Sequence, residues 1–164
     1  MIIEKAILTI YPNAIPLVNF NVQDDGQGQF IRDWSYSEPQ PTEEELQTAW
    51  IGYVRGKKLE ELNNACQSSI LNGFTGTNGH QYQFDWKDQD NLTQQMVFLV
   101  NDPTIATVDW KTKDVGIVSH TRAEFLQVCA DANNHKRVNM GKYWTLEAEL
   151  NTVTTEAEIN VIVW

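Results

Sequence analysis

The sequence predicts an α+β fold: a small N-terminal antiparallel β-meander, a connecting helix, and a C-terminal helix-and-β-hairpin domain. Three observations predict it. Apolar residues alternate with polar ones on either side of glycine turns, the signature of hairpins. Elsewhere they recur three and four apart, the signature of helices. Threonine–glutamate pairs spaced by three, at Thr42, Thr121 and Thr155, read as capping boxes that open helices.

Ile2 to Tyr11 is rich in β-branched and aromatic residues and free of breakers, so it reads as a first strand. Pro12 and Pro16 force a loop. Phe20 and Val22 then alternate with polar neighbours, and Phe30 with Arg32 mirrors them across Asp24-Asp25-Gly26-Gln27-Gly28. The resulting meander, residues 1–41, has an apolar face that something else must cover. A connector at 42–58 begins at the Thr42–Glu45 box, with Leu46, Ala49, Trp50 and Tyr53 on one stripe. The prolines of Pro39-Gln40-Pro41 should fold this helix back and lay Trp50 beside the face that Trp34 borders; the alternative turns Trp50 outward, against a neighbouring subunit. A second stripe, including Leu59, Leu62, Cys66 and Ile70, is out of phase with the first, with Gly52 and Gly56 at the seam. The helix should bend or break there.

The third segment, 59–164, starts with that second stripe. Tyr82, Phe84 and Trp86 recur at period two, a strand with one aromatic face. A helix from Asp88 or Asp90 to Asp102 places Leu92, Met96, Leu99 and Val100 on its buried side. That helix needs a sheet face to bury against, so the aromatics read as core; a sugar-stacking platform is the alternative. Thr107 to Ser119 forms a second hairpin about Lys113-Asp114-Val115-Gly116. The Thr121 box opens a helix to about Leu150 with Gly141 a weak point, and the Thr155 box opens a last short helix.

Composition narrows the function classes. The chain has 164 residues, 41% hydrophobic, with six tryptophans, which is enough to build a core and too aromatic for disorder. Its net charge of −10 repels phosphate backbones, so nucleic acid is not an expected partner. Met1-Ile2-Ile3-Glu4-Lys5 lacks the basic start of a signal peptide, and no apolar run suits a membrane span. Cys66 and Cys129 lack metal or redox spacing and read as buried thiols.

Two resemblances attach to particular residues. Tyr11-Pro12-Asn13-Ala14, the Asp25-Gly26-Gln27-Gly28-Gln29-Phe30-Ile31 turn, Trp34, and Pro39-Gln40-Pro41-Thr42-Glu43-Glu44-Glu45-Leu46 resemble, in this order, the XkdW-like proteins of phage and prophage tail gene clusters. Tyr82-Gln83-Phe84-Asp85, Asp90-Asn91-Leu92, Trp110-Lys111-Thr112, the Thr121 box and Ile162-Val163-Trp164 resemble an uncharacterised domain at the ends of phage tail-fibre and tail-associated proteins.

No catalytic constellation emerges. His80, His120 and His135 have neither i,i+4 pairing nor ligands at metal spacing. Asp85, Asp88 and Asp90 lack the glycine and terminal glutamate of a calcium loop. Gly26 and Gly28 have no third glycine opening a helix, so a dinucleotide loop gives way to a hairpin turn. Gly52 and Gly56 would let another helix approach closely, but that motif is weak outside membranes.

The expectation is therefore a non-enzymatic virion component of the phage tail, in the baseplate or tail-fibre apparatus, made in the host cytoplasm. It should need no cofactor or metal and should bind other tail proteins, as a homo-oligomer within the assembly. Its partner-binding residues are expected to be Tyr11, Phe20, Phe30, Trp34 and Trp50 on the N-terminal module. The rival is a tail-fibre assembly chaperone absent from the finished particle, since such chaperones share the tryptophan and proline-rich helix entry. A glycan-binding tip or small hydrolase is a third class, and would need a concave polar pocket.

Overall fold

A computed structural model describes all residues, 1–164. The chain is α+β, with five helices and three two-stranded antiparallel sheets. It divides into two compact units: Met1–Glu61 with Ala148–Val163, and Leu62–Glu147 with Trp164.

The first unit opens on a helix, α1 (Ile3–Ile10), where a strand was expected. The β-branched composition suggested a strand, but Ile3, Ala6 and Ile7 stand at helical spacing and all three are buried. Tertiary burial of that stripe overrides intrinsic propensity. The meander is consequently a two-stranded hairpin, β1 (Phe20–Asp24) with β2 (Gln29–Trp34). Its turn holds Gly26 at φ +90° and Gly28 at +131°, and the Asp24 carboxylate accepts the Gly26 amide at 2.9 Å.

The hairpin faces also differ from expectation. A register shift between Asn21 and Val22 pairs Val22 with Ile31 and Phe20 with Trp34. Ile31 and Trp34 therefore pack on the core, while Phe30 and Arg32 are exposed. Helix α2 (Glu43–Leu71) starts at the expected box, in which the Thr42 amide donates to Glu45 Oε2 at 2.7 Å. Leu46 and Trp50 complete the core begun by α1 and Phe20. The helix runs without a break through Gly52 and Gly56, whose Cβ positions are open space.

The second unit contains the short ladder β3 (Phe74–Thr75) and β4 (Gln81–Tyr82), helix α3 (Trp86–Asn101), the hairpin β5 (Thr107–Thr112) with β6 (Gly116–Thr121), and most of helix α4 (Arg122–Leu150). The expected aromatic strand ends early. Tyr82 and Phe84 are core, but Trp86 is the first residue of α3 and is exposed. Asp85 caps that helix in a reciprocal box with Asp88, so it starts before the expected Asp88 or Asp90. Of its expected buried side, Leu92 and Leu99 are core, while Met96 and Val100 are exposed because the packed stripe is narrower than the sequence pattern. The second hairpin, the Thr121–Glu124 box and a helix continuing through Gly141 to Leu150 all occur as read from the sequence. Gly73, at φ +93°, approaches the Tyr82 carbonyl so closely that a Cβ there would collide with it.

The last helix, α5 (Glu156–Val161), is capped by Thr155 and Glu158 as expected and belongs to the first unit. Both cysteines are buried and free. No helix is long and apolar enough to cross a membrane.

Candidate functional site

On the first unit, four of the five expected partner-binding aromatics gather around one apolar cluster. Phe20 is buried, and Trp50, 6% exposed, is spent on the same core. Tyr11 and Trp34 are half-buried, with ring centroids 5.9 Å apart. Tyr36, which the sequence reading did not single out, lies 5.3 Å from Tyr11 and 6.2 Å from Trp34. The proline segment holds this nest in place. Tyr11 Oη donates to the Pro39 carbonyl at 2.9 Å, and Trp34 Nε1 donates to the Glu38 carbonyl at 2.8 Å. Phe30 stands apart, 41% exposed on the outer face of β2.

The first unit also exposes apolar side chains in one loop that no sequence period marks. Ile15, Leu17 and Val18 are 57%, 83% and 66% exposed. Leu17 has φ +65°, the left-handed region, where it is the sole non-glycine residue. For a bulky L residue that backbone costs about 1–2 kcal/mol. Hydrogen bonds hold it: Leu17 N donates to the Phe20 carbonyl at 2.8 Å and Asn19 N to the Ile15 carbonyl at 2.8 Å. Asn19 Oδ1 accepts from Ile15 N at 2.9 Å, and Ser35 Oγ donates to the Val18 carbonyl at 2.9 Å. The available signal was four consecutive apolar residues, Ile15-Pro16-Leu17-Val18, that fit neither a strand nor a helix period.

The second unit carries two concave sites. One, of about 670 Å³, is polar and lies between β3–β4 and α4, with Gln81, Asn134 and Lys113 on its walls. Its carboxylate, Asp131, is already engaged by Thr77 N and Oγ1 at 2.7 and 2.9 Å. Burial would raise that carboxyl, but the Thr77 and Gln127 hydrogen bonds outweigh it and hold it below the ordinary aspartate value. The other, of about 680 Å³, is a groove between α3 and α4 lined by Phe84, Leu92, Met96 and Leu126.

The titratable groups are paired structurally. His120 is buried; its Nδ1 donates to the Val118 carbonyl at 3.0 Å, which leaves Nε2 to accept from Tyr82 Oη at 2.8 Å. Burial raises the Tyr82 phenol and the Cys66 thiol, and pushes Cys129 up to about 11. No three His, Cys, Asp or Glu side chains converge as metal ligands would.

Comparison with known proteins assigns both segments. Residues 53–163 match the family described as a domain of unknown function, DUF4376. The chain belongs to the DUF4376 family. Ahead of that region, residues 3–55 match the XkdW protein family and form an XkdW domain. Over 50 residues the chain is 42% identical to the phage-like element PBSX protein XkdW of Bacillus subtilis (strain 168), covering 30% of this chain and 46% of that protein. It is 46% identical over 52 residues to the uncharacterised protein YqcD of the same strain, covering 30% of this chain and 47% of YqcD. The chain thus spans about half the length of the curated relatives it matches. A solution NMR structure of the PBSX protein XkdW matches at 36% identity and a TM-score of 0.28, over 37% of this chain and 92% of that one. The XkdW match makes this a phage-related chain.

Proposed function

We propose that the chain is a structural component of the phage tail, in the baseplate or tail-fibre apparatus, and acts by attaching to other tail proteins and to further copies of itself. It has no catalytic role in this reading, and its working location is the virion tail. The observation that carries the reading is the surface of α3. Leu92 and Leu99 already bury one side of that helix, yet Trp86, Val97, Phe98 and Val100 remain exposed on its other sides. A monomer gains nothing from large apolar side chains in water, whereas an assembly protein buries them against neighbours. The phage-like element named in the XkdW relative supports the setting.

The test is mass spectrometry of gradient-purified particles. Recovery of the chain at a fixed ratio to other tail proteins is expected. Its presence in the lysate and absence from particles would instead make it an assembly chaperone, whose client-binding surface would use the same exposed residues.

A further inference from the structure

We propose that the Ile15–Val18 loop is a preformed aliphatic plug that seats in an apolar, basic-rimmed socket on a protein partner. This rests on the reading of the chain as an attachment protein, and it names the contact that the XkdW domain makes.

Three features of the loop lead there. Ile15, Leu17 and Val18 all project into solvent, so the chain gains little burial from any of them. Leu17 also occupies a backbone region that glycine or asparagine would fill without strain. Strain at a side chain that contributes almost nothing internally is the pattern found at binding sites, where the surroundings over-determine an unfavourable conformation. The hydrogen bonds from Leu17 N to the Phe20 carbonyl, between Ile15 and Asn19, and from Ser35 Oγ to the Val18 carbonyl supply that over-determination. A loop held in its bound shape loses little conformational freedom on docking.

Charge selects the kind of partner. No lysine or arginine occurs between Ala6 and Ile31, so the loop lacks the basic anchors that hold an apolar insertion on an anionic lipid surface. Across the first unit, Met1–Glu61 with Ala148–Val163, there are thirteen acidic and five basic side chains. A protein socket with lysine or arginine on its rim complements that balance and discriminates against other apolar sites.

The experiment uses the full chain in particle-producing cells, with wild type, Leu17→Gly and Leu17→Asp compared, and a photo-crosslinking residue placed at position 17. Leu17→Gly removes the side chain and the strain together, so it should melt no lower than wild type and still lose incorporation. A fall of roughly thirtyfold is expected for both variants, the scale of a hot-spot residue. The crosslink should map to one tail protein, in an apolar pocket flanked by lysine or arginine. Wild-type incorporation of both variants, or a crosslink confined to lipid, overturns the plug and leaves the attachment reading standing. Absence of the wild-type chain from particles overturns the attachment reading instead. In that case a crosslink formed in the cells still supports the plug if it lands in such a pocket, and overturns it if it does not.

Discussion

Trp50 and Glu156, 106 residues apart in sequence, share a 2.7 Å hydrogen bond from the indole Nε1 to the carboxylate Oε2. One turn further along α2, Arg55 donates from Nη2 to the Val153 carbonyl at 2.7 Å. The chain end is thereby tied to the core of the first unit. The local cause is the Thr155–Glu158 box, which starts α5 and sets Glu156 in its first turn.

Glu156→Ala should destabilise the chain by about 1–3 kcal/mol, because it leaves the Trp50 N–H partly buried without an acceptor. Trp50→Ala removes the packing as well and should cost roughly 3–5 kcal/mol. Thr155→Ala, which weakens only the cap, should cost about 1 kcal/mol. Denaturant melts followed by circular dichroism give the order. If Glu156→Ala melts like wild type, the tie contributes nothing.

That tie also shows where sequence reading stops. Capping boxes were legible because all their parts lie within four residues. The Thr42, Thr121 and Thr155 boxes each form with the expected partner. A contact between Trp50 and Glu156 has no such local signal. In α1 two local signals conflicted: β-branched composition pointed to a strand, and the spacing of Ile3, Ala6 and Ile7 to a helix. The spacing prevailed because it supplied the burial. At the hairpin a single register shift exchanged Phe30 for Ile31 on the packed face, so Phe30 was assigned to the wrong side. The Leu17 loop is not legible in the sequence for a related reason: its apolar residues face outward, and periodicity marks only those that face in.

The cysteines should resist alkylation in the folded chain. Burial raises both thiols, Cys129 to about 11, so roughly a thousandth of it is thiolate near pH 8. Iodoacetamide should label neither residue until denaturant is added, when both should react together. Rapid labelling of Cys129 under native conditions would show that its region opens readily.

The capping glutamates set an acid limit. Backbone N–H donation from Thr42, Thr121 and Thr154 is the main reason Glu45, Glu124 and Glu158 lie below their ordinary value of 4.5. Folding therefore favours the ionised forms. Their contribution is whole above the ordinary glutamate range and is lost as pH falls through the lower folded values. Melting temperature should decline below about pH 4.5 for wild type. A variant carrying glutamine at all three positions keeps one capping acceptor at each and should decline less steeply. Parallel acid limbs for the two proteins would show that these boxes are not the source.

The last prediction concerns Tyr82 and His120, which are both buried and join the β3–β4 ladder to β6. Tyr82 Oη also accepts from Asn78 Nδ2 at 2.8 Å, so the phenol is fully used. Tyr82→Phe keeps the ring but leaves His120 Nε2 buried without a donor and Asn78 without an acceptor. It should cost about 1–3 kcal/mol. His120→Leu leaves the Tyr82 hydroxyl without its acceptor and should cost a similar amount. In the double variant neither orphan remains between the two positions, so the combined loss should be smaller than the sum by about 1 kcal/mol. Urea melts of the four proteins close the cycle. Strict additivity would mean that the 2.8 Å contact carries no coupling, and that each side chain contributes only through its own packing.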